Sequence, residues 1–156
     1  SKNWGTEVFT QYQEDRFSAL TKRSLVGFGA RYTLDEQLAE GVLQTQANHL
    51  GFGAFYEEEA YSNSTLDPDQ DNIRANLYWA FKNKIADNIL YTSTLYFQPK
   101  FEDLSDLKGL WQNSLTISVT STISLSLTWD VEHDTQSATG ANETETSYNS
   151  VLIYNF

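Results

Sequence analysis

The sequence has no cysteine, only two histidines, and few basic residues. Without cysteine the chain can form no disulfide framework, thiolate metal site or catalytic thiol. The two histidines, His49 and His133, leave little material for a histidine-based metal site. Ten Lys and Arg stand against 21 Asp and Glu, which gives a formal net charge of −11. That charge repels phosphate backbones, so the chain is not expected to bind nucleic acid.

Long apolar runs are also missing, and no stretch reaches the roughly 18 apolar residues that a transmembrane helix needs. The chain nevertheless carries nine Tyr, nine Phe and four Trp, at a mean hydropathy of −0.48. A disordered acidic chain would not contain so many aromatic rings, so this chain is expected to fold. Its composition permits a transmembrane β-barrel, in which apolar and polar residues alternate and average hydropathy stays low.

Alternation of apolar and polar residues is the main pattern along the chain. From Ser124 to Glu132 every odd position is apolar and every even position is polar, which is the period of a β-strand. Similar alternation predicts further strands around residues 4–14, 26–32, 50–56, 73–82, 89–98, 114–119 and 147–156. The sequence therefore predicts an all-β fold, an antiparallel up-and-down transmembrane β-barrel of about eight strands. Residues 1–156 are expected to form one outer-membrane barrel domain.

Two of these strands share a glycine motif. Val26–Tyr32 and Leu50–Tyr56 both have the pattern apolar-Gly-Phe-Gly-Ala-x-Tyr. A dinucleotide-binding loop would need a helix directly afterwards, and none is predicted there. The glycines instead indicate a strand pair that needs room, or a bend, on its inner face. We expect that room to accommodate long arginine side chains.

One stretch departs from the strand pattern. Thr33 and Glu36 have the spacing of a capping box, and Leu34, Leu38 and Val42 recur at intervals of four. This pattern predicts a short helix or helical turn over residues 34–43, on the periplasmic side. A continued irregular strand is the alternative.

The connections and the apolar faces indicate which side of the barrel meets lipid. Three connections are long and polar (61–71, 101–109 and about 132–146), and two between them are short (83–88 and 120–122). This asymmetry is typical of outer-membrane barrels. The apolar positions carry aromatic rings near both strand ends, as the two interfacial girdles of a membrane barrel do. A soluble ligand-binding barrel, with its apolar face inside, is the rival interpretation.

Five segments together have the pattern of a known family, and they are residues 7–13, 23–32, 95–100, 103–106 and 151–156. In this order they resemble the salt-induced outer-membrane proteins, a β-barrel family classed as a domain of unknown function. It implies an outer-membrane barrel without established activity, with lipid and lipopolysaccharide as partners. It also implies that Phe156 is recognised by the barrel-assembly machinery. Members of that family are usually longer, so the chain is either a compact relative or the carboxy-terminal part of a longer barrel.

Catalytic chemistry is not expected from the sequence, and no cofactor is implied. Asp130, Glu132, His133 and Asp134 lie together, but neighbouring residues on a strand point to opposite faces. No Gly-x-Ser-x-Gly nucleophile elbow occurs. The chain is therefore interpreted as a non-enzymatic barrel with a structural or osmotic-response role. Passage of small solutes or ions is the alternative function.

Two charged groups remain as candidate site residues. Asp67, Asp69 and Asp71 are spaced as an EF-hand loop begins, but the required Gly and Glu do not follow. They are candidates for weak divalent-cation binding, with surface charge or bridging to lipopolysaccharide phosphates as the alternative. Strand parity also predicts a charge network facing the barrel interior. Its members are Glu7, Arg31, Glu57, Arg74 and Asp130, and both arginines are expected to pair with carboxylates because an unpaired buried charge is costly.

Overall fold

The structure, a computed structural model, describes residues 3–14, 20–38, 44–63 and 65–154. These residues form one antiparallel sheet of eight strands in sequence order. The strands are β1 (Trp4–Glu14), β2 (Leu20–Leu38), β3 (Gln44–Tyr61), β4 (Gln70–Ala86), β5 (Ile89–Pro99), β6 (Leu107–Ser118), β7 (Ile123–Asp134) and β8 (Thr144–Tyr154). The prediction of eight up-and-down strands is confirmed. The described residues contain no helix that is long and apolar enough to span a membrane.

From β3 onward, the strands are joined by long connections at one end of the sheet and by short ones at the other. The long connections are residues 62–69 between β3 and β4, residues 100–106 between β5 and β6, and residues 135–143 between β7 and β8. Two short connections, residues 87–88 and 119–122, join β4 to β5 and β6 to β7. We call these the loop end and the turn end.

The helix predicted over residues 34–43 is not formed where the structure describes that segment. β2 continues as a strand to Leu38, and residues 39–43 lie outside the described residues. Register shifts between Thr33 and Asp35 and between Gln37 and Leu38 make this part of the ladder irregular. The alternative of a continued irregular strand is therefore the one that the described residues adopt. Intervals of four are also multiples of two, so this spacing fits the period of a strand as well as that of a helix.

The sheet is strongly curled. Tyr78 on β4 donates a hydrogen bond to Glu7 on β1, and Lys108 on β6 is paired with Glu59 on β3. In a flat sheet, strands three positions apart would be separated by about 14 Å. These contacts therefore define a concave face, to which all four side chains belong. The opposite, outward face is called the convex face.

Burial on this sheet is reversed relative to a soluble domain. Among the residues with described side chains, the buried apolar ones are Leu25, Ala47 and Phe55. The buried polar ones are Glu57, Glu59, Asn72, Arg74, Asn76 and Asp106 on or against the concave face, and Asn113 on the convex face. The convex face carries a large share of the exposed apolar side chains, among them Val26, Phe28, Phe52, Ile73, Leu77, Trp79, Leu95, Phe97 and Trp111. The polar concave face and the apolar convex face agree with the strand parity of the sequence.

The curled sheet is not closed. β1 and β8 stand at the two ends of the strand order, and every residue of β8 is exposed. Within the described residues each of these strands therefore has one paired side and one edge without a strand partner.

Candidate functional site

The concave face carries the charged residues that strand parity singled out. Along the paired registers, Glu7 lies opposite Gly29, Arg31 opposite Gly51, and Glu57 opposite Asn72. Arg74 lies opposite Phe55, and Asp130 opposite Gln112. Because opposite residues share a face of the sheet, these positions all belong to the concave face.

Glu57 lies at the centre of the most buried group of charges. Its Oε1 accepts a hydrogen bond from Nε of Arg74 at 2.5 Å. Its Oε2 accepts bonds from Nη2 and Nε of Arg23 at 2.7 and 2.9 Å. The side chains of Glu57 and Arg74 are 0% and 1% exposed. Each carboxylate oxygen thus has its own guanidinium partner, which offsets the cost of removing the charges from water.

Arg74 also fastens the β5–β6 loop to the concave face. Its Nη2 donates to Oδ1 of Asp106 at 2.7 Å, and its Nη1 donates to the carbonyl oxygen of Asp106 at 3.1 Å. Asp106 immediately precedes β6 and is buried. The guanidinium therefore holds β3 and the β5–β6 loop together from its position on β4.

Lys108 completes this group from the far side of the concave face. Its Nζ is paired with Oε1 of Glu59 and lies 3.7 Å from Oε1 of Glu57. A third carboxylate, Asp134, is 3.8 Å away. We call the six residues Arg23, Glu57, Glu59, Arg74, Asp106 and Lys108 the interior charge cluster. It connects β2, β3, β4 and β6 near the loop end.

Arg31 and Glu7 form a second, more open pair. Nη1 of Arg31 lies 3.4 Å from Oε1 of Glu7, and the Arg31 side chain is 45% exposed. The other oxygen of Glu7 accepts a hydrogen bond from the hydroxyl of Tyr78 at 2.7 Å. Both arginines singled out by parity therefore lie within 4 Å of a carboxylate. In the described part of the chain, Asp130 forms no ion pair.

The sequence pattern did not single out four members of the interior charge cluster, namely Arg23, Glu59, Asp106 and Lys108. Arg23 and Glu59 could have been found, since they continue the parity of Arg31 and Glu57 toward the loop end. Lys108 stands at the second position of β6, where the alternation is hardly established. Asp106 lies in a loop, and alternation gives no information there.

The glycines of the shared motif leave space for aromatic side chains rather than for arginines. A Cβ at Gly27 would meet the Phe9 ring at 2.4 Å, and one at Gly51 would meet the Tyr78 ring at 1.9 Å. Gly29 and Gly53 face each other across β2 and β3, where an added Cβ would meet backbone atoms. The expectation that the glycines need room is thus confirmed, but the expected occupant was wrong.

The aspartates of the β3–β4 loop are engaged in hydrogen bonds with protein groups. Oδ1 of Asp67 accepts bonds from the backbone amide and the hydroxyl of Thr139, at 3.0 and 2.9 Å. Oδ1 of Asp69 accepts a bond from the amide of Tyr61, and Asp71 lies on the convex side opposite Glu58. Within the described residues no three His, Asp or Glu side chains lie close enough together to hold a metal ion.

The long loops are tied to one another at the loop end. Asp67 and Thr139 connect the β3–β4 loop to the β7–β8 loop. The hydroxyl of Thr135 donates to the carbonyl oxygen of Ser105 at 2.8 Å, which connects the β7–β8 loop to the β5–β6 loop. β4 and β7 are three positions apart in the strand order, whereas β6 and β7 are neighbours, so it is the Asp67–Thr139 contact that spans the loop end.

The histidine and carboxylates near the end of β7 do not converge on a catalytic arrangement. His133 lies between Glu132 and Asp134, so it projects to the face opposite theirs. Its Nδ1 lies 2.9 Å from the hydroxyl of Thr144 on β8. Asp134 belongs instead to the surroundings of Lys108.

The concave face also lines a half-open cavity of about 950 Å³, and Arg23 and Lys108 of the interior charge cluster form part of its wall. Its walls include the amide side chains of Gln11, Asn76, Gln98 and Gln112, and the rings of Phe9, Tyr78 and Tyr96. The cavity therefore offers neutral hydrogen-bonding groups and ring faces together with charged side chains, which are Glu7, Arg23, Arg31, Lys108, Glu132 and Asp134.

Comparison with known proteins gives one match. Residues 1–156 match the model of a family described as "Protein of unknown function, DUF481". The chain belongs to the DUF481 family. No curated protein and no solved structure matches it. The DUF481 description names no activity, so the function of this family member has to be argued from its own residues.

Proposed function

We propose that this DUF481 protein is a non-enzymatic β-barrel of the bacterial outer membrane, with a structural or osmotic-response role. In this arrangement the convex face lies in lipid, and the concave face forms the barrel interior. The observation that carries the proposal is the reversed burial of the sheet, with paired charges inside and apolar side chains outside. Lipid and lipopolysaccharide would then be its partners. Phe156, the proposed signal for the barrel-assembly machinery, lies outside the described residues.

The size of the apolar convex face favours lipid over water. Soluble monomers rarely expose contiguous apolar patches larger than a few hundred Å². Here Phe28, Phe52, Leu77 and Phe97, on four successive strands, are each 38–70% exposed. Apolar surface of this extent is unfavourable in water, at about 25 cal/mol for each Å². A soluble ligand-binding barrel would place this face inside.

The indole N–H groups of two tryptophans on the convex face have hydrogen-bond partners within the protein, as contact with an apolar solvent requires. Nε1 of Trp79 donates to Oδ1 of Asn48 at 2.6 Å, and Nε1 of Trp111 donates to the hydroxyl of Ser93 at 3.0 Å. In hydrocarbon no water replaces a missing partner, so internal satisfaction of these groups supports lipid contact. Nearer the loop end, the hydroxyl of Tyr12 donates to Glu14, as suits a ring at the interface with water.

A non-enzymatic role is supported by the way in which the charged side chains are used. The most buried carboxylates accept bonds from guanidinium or ammonium groups, which occupies their lone pairs. A general base would instead need a free, correctly directed lone pair. The proposal is therefore that these charges hold the interior and the loops together.

Quenching of tryptophan fluorescence by brominated lipid tests the position in the membrane. Trp4, Trp79 and Trp111 are exposed on the convex face. In vesicles their emission should be quenched by bromine on the acyl chains, and Trp79→Phe or Trp111→Phe should reduce the quenched fraction. A monodisperse monomer in buffer without detergent, together with unquenched emission in the presence of vesicles, would contradict the proposal.

A pair of arginine variants tests whether the convex face contacts lipid. The second variant shows how well the fold tolerates an added arginine elsewhere. Phe52→Arg places a charge in the middle of β3 on the convex face, where a lipid-facing charge costs about 2–4 kcal/mol. Leu104→Arg places it on an exposed loop residue and should fold into vesicles as the parent does. Equal folding yields for both variants would argue against a lipid-facing convex side.

Passage of small solutes is the second candidate function, and the cavity of about 950 Å³ is the observation that favours it. The interior charge cluster and the connected loops oppose it, because they cross the loop end. Planar-bilayer recordings distinguish the two roles. We expect the parent protein to show no steady conductance, and a steady conductance would favour solute passage. Induction of the transcript at raised salt tests the osmotic-response role separately.

A further inference from the structure

We propose that β1 and β8, the outermost strands of the described sheet, pair with each other, antiparallel, with Val8 opposite Leu152 and Tyr12 opposite Tyr148. This pairing would close the sheet into an eight-stranded barrel. The inference rests on the proposed membrane barrel and adds to it a specific seam and register.

The two edges have matching dimensions. β1 and β8 are each 11 residues long. With eight strands in an up-and-down order, the first and last run in opposite directions. They can therefore pair antiparallel without any new connection. An edge left open exposes a row of backbone amide and carbonyl groups, which is costly in a membrane and favours association in water.

The exposed side chains along the two edges identify the register. Val8, Tyr148 and Leu152 are 83%, 80% and 71% exposed, which makes them three of the four most exposed large apolar residues among those described. All three lie on the convex face. The proposed register brings Val8 beside Leu152 and Tyr148 beside Tyr12, so that apolar cross-strand pairs replace exposed surface.

The same register also matches the concave positions. It places Phe9 opposite Val151, Gln11 opposite Asn149 and Gln13 opposite Ser147, so apolar residues meet apolar ones and polar residues meet polar ones. A shift by one residue would pair convex with concave positions, which the buried charges do not allow. A shift by two residues either way would bring Tyr12 opposite Thr146 or Ser150. Either shift would move Tyr148 away from the position opposite Tyr12.

The register is also consistent with barrel geometry. Successive pairing partners across the sheet lead from Trp4 through Tyr32, Leu50, Trp79, Leu95, Trp111 and Val131 to Thr146. In the proposed register Thr146 lies opposite Glu14, ten residues further along β1 than Trp4. A stagger of ten over eight strands corresponds to a strand tilt of about 40°, within the usual range of barrels.

Disulfide formation tests the seam, because the parent chain has no cysteine. The test pairs are Val8→Cys with Leu152→Cys and Gln11→Cys with Asn149→Cys. One pair is convex and one concave, so between them they sample both kinds of antiparallel pair. Leu125→Cys with Leu152→Cys is the positive control, since these residues already lie opposite each other on β7 and β8. Two controls represent a register shifted by two residues. They combine Val8→Cys with Ser150→Cys or with Tyr154→Cys.

The folded variants are oxidised in vesicles and examined by intact mass and by mobility on denaturing gels. We expect intramolecular disulfides in both test pairs to form at rates within about tenfold of the positive control, and much more slowly in the shifted pairs. Faster reaction of a shifted pair would overturn the register. Disulfide-linked dimers would show that a second copy occupies the edge, and would overturn the seam. An absence of reaction at the test pairs, with a reactive positive control, would show that other strands occupy the edges.

Failure of the seam and failure of the membrane proposal are distinguishable. Further strands of a longer polypeptide between β1 and β8 would leave the test pairs unreactive while the convex tryptophans stay quenched by brominated lipid. A soluble sheet would leave the tryptophans unquenched whatever the disulfides do.

Discussion

The ring of Tyr78 lies directly over Gly51, its pairing partner on the neighbouring strand. A Cβ at position 51 would come within 1.9 Å of the ring, so no larger residue fits while Tyr78 keeps this position. The ring position in turn brings the Tyr78 hydroxyl to Glu7 on β1. The glycine on β3 thus determines how β4 reaches across the concave face to the first strand.

We expect Gly51→Ala to destabilise the protein by about 1–3 kcal/mol, because the methyl group forces Tyr78 away from its site. Gly109→Ala is the matched control, since the nearest atom to a Cβ there is 3.8 Å away. The free energy of unfolding in urea, measured in detergent micelles or vesicles, gives both values. Equal stability of the two variants would contradict the role assigned to Gly51.

Arg74→Ala should be among the most destabilising single substitutions on the concave face. It leaves Glu57 and Asp106 buried without their shared guanidinium, and loss of one partner of a buried pair costs about 3–5 kcal/mol. Lys84→Ala is the control, because the Lys84–Asp87 pair is exposed and such pairs contribute about 0–1 kcal/mol. Urea titration of the parent and both variants is the measurement. A loss for Arg74→Ala as small as that for Lys84→Ala would be inconsistent with the interior charge cluster.

Arg31→Ala should cost much less than Arg74→Ala, although strand parity treats the two arginines alike. The Arg31 side chain is 45% exposed and its contact with Glu7 is 3.4 Å long, so about 0–1 kcal/mol is expected. Raised salt should weaken this pair more than the buried one. Stability measured at low and high salt distinguishes the two sites, and a salt-independent loss above about 2 kcal/mol for Arg31→Ala would refute the distinction.

Asp67→Ala should release the contact between the β3–β4 and β7–β8 loops. The backbone amide of Thr139 donates to Asp67 in the parent, so its hydrogen exchange should become faster in the variant. Glu102→Ala, in the exposed part of the β5–β6 loop, should leave this amide unchanged. Hydrogen exchange followed by NMR measures both, and equal exchange rates in parent and Asp67→Ala would argue against the contact.

The Asp103 carboxylate in the β5–β6 loop should titrate at a lower pH than usual. The hydroxyl of Ser105, followed by its backbone amide, donates to this carboxylate and lowers its pKa. A lowered folded-state pKa means that the stabilisation is present above the unfolded-state pKa and is lost as the pH falls through the folded value. Ser105→Ala should raise the pKa of Asp103 toward its ordinary value. Carboxyl NMR titration checks this, with Ser121→Ala as the control.

The strands were predictable because alternation is local. Residues 124–132 alternate without exception, and they lie within β7. The segment from Leu34 to Leu38 was wrongly predicted as helical, because a spacing of four satisfies both the helical and the strand period. Pairing with β3 decides for the strand there, and pairing is a long-range property.

For the candidate site, strand parity predicted which residues share a face, but not how deeply each one is buried. Parity assigned Arg31, Arg74, Glu7 and Glu57 to one face, and these residues form two ion pairs. It could not indicate that Arg31 is half-exposed while Arg74 is buried. That difference depends on the tertiary structure, in which Arg74 donates to Asp106 of the β5–β6 loop and its partner Glu57 lies near Lys108 of β6.

The sequence by itself determined the strand number, the sorting of polar and apolar residues onto two faces, and the absence of thiol chemistry. Each follows from residue identity or from a period of two along the chain. Only the tertiary structure decided which charges meet, because Lys108 and Glu59 come from strands three positions apart in the sheet. Their contact exists because the sheet curls, and the curl depends on how strand twist and side-chain packing add up over all eight strands.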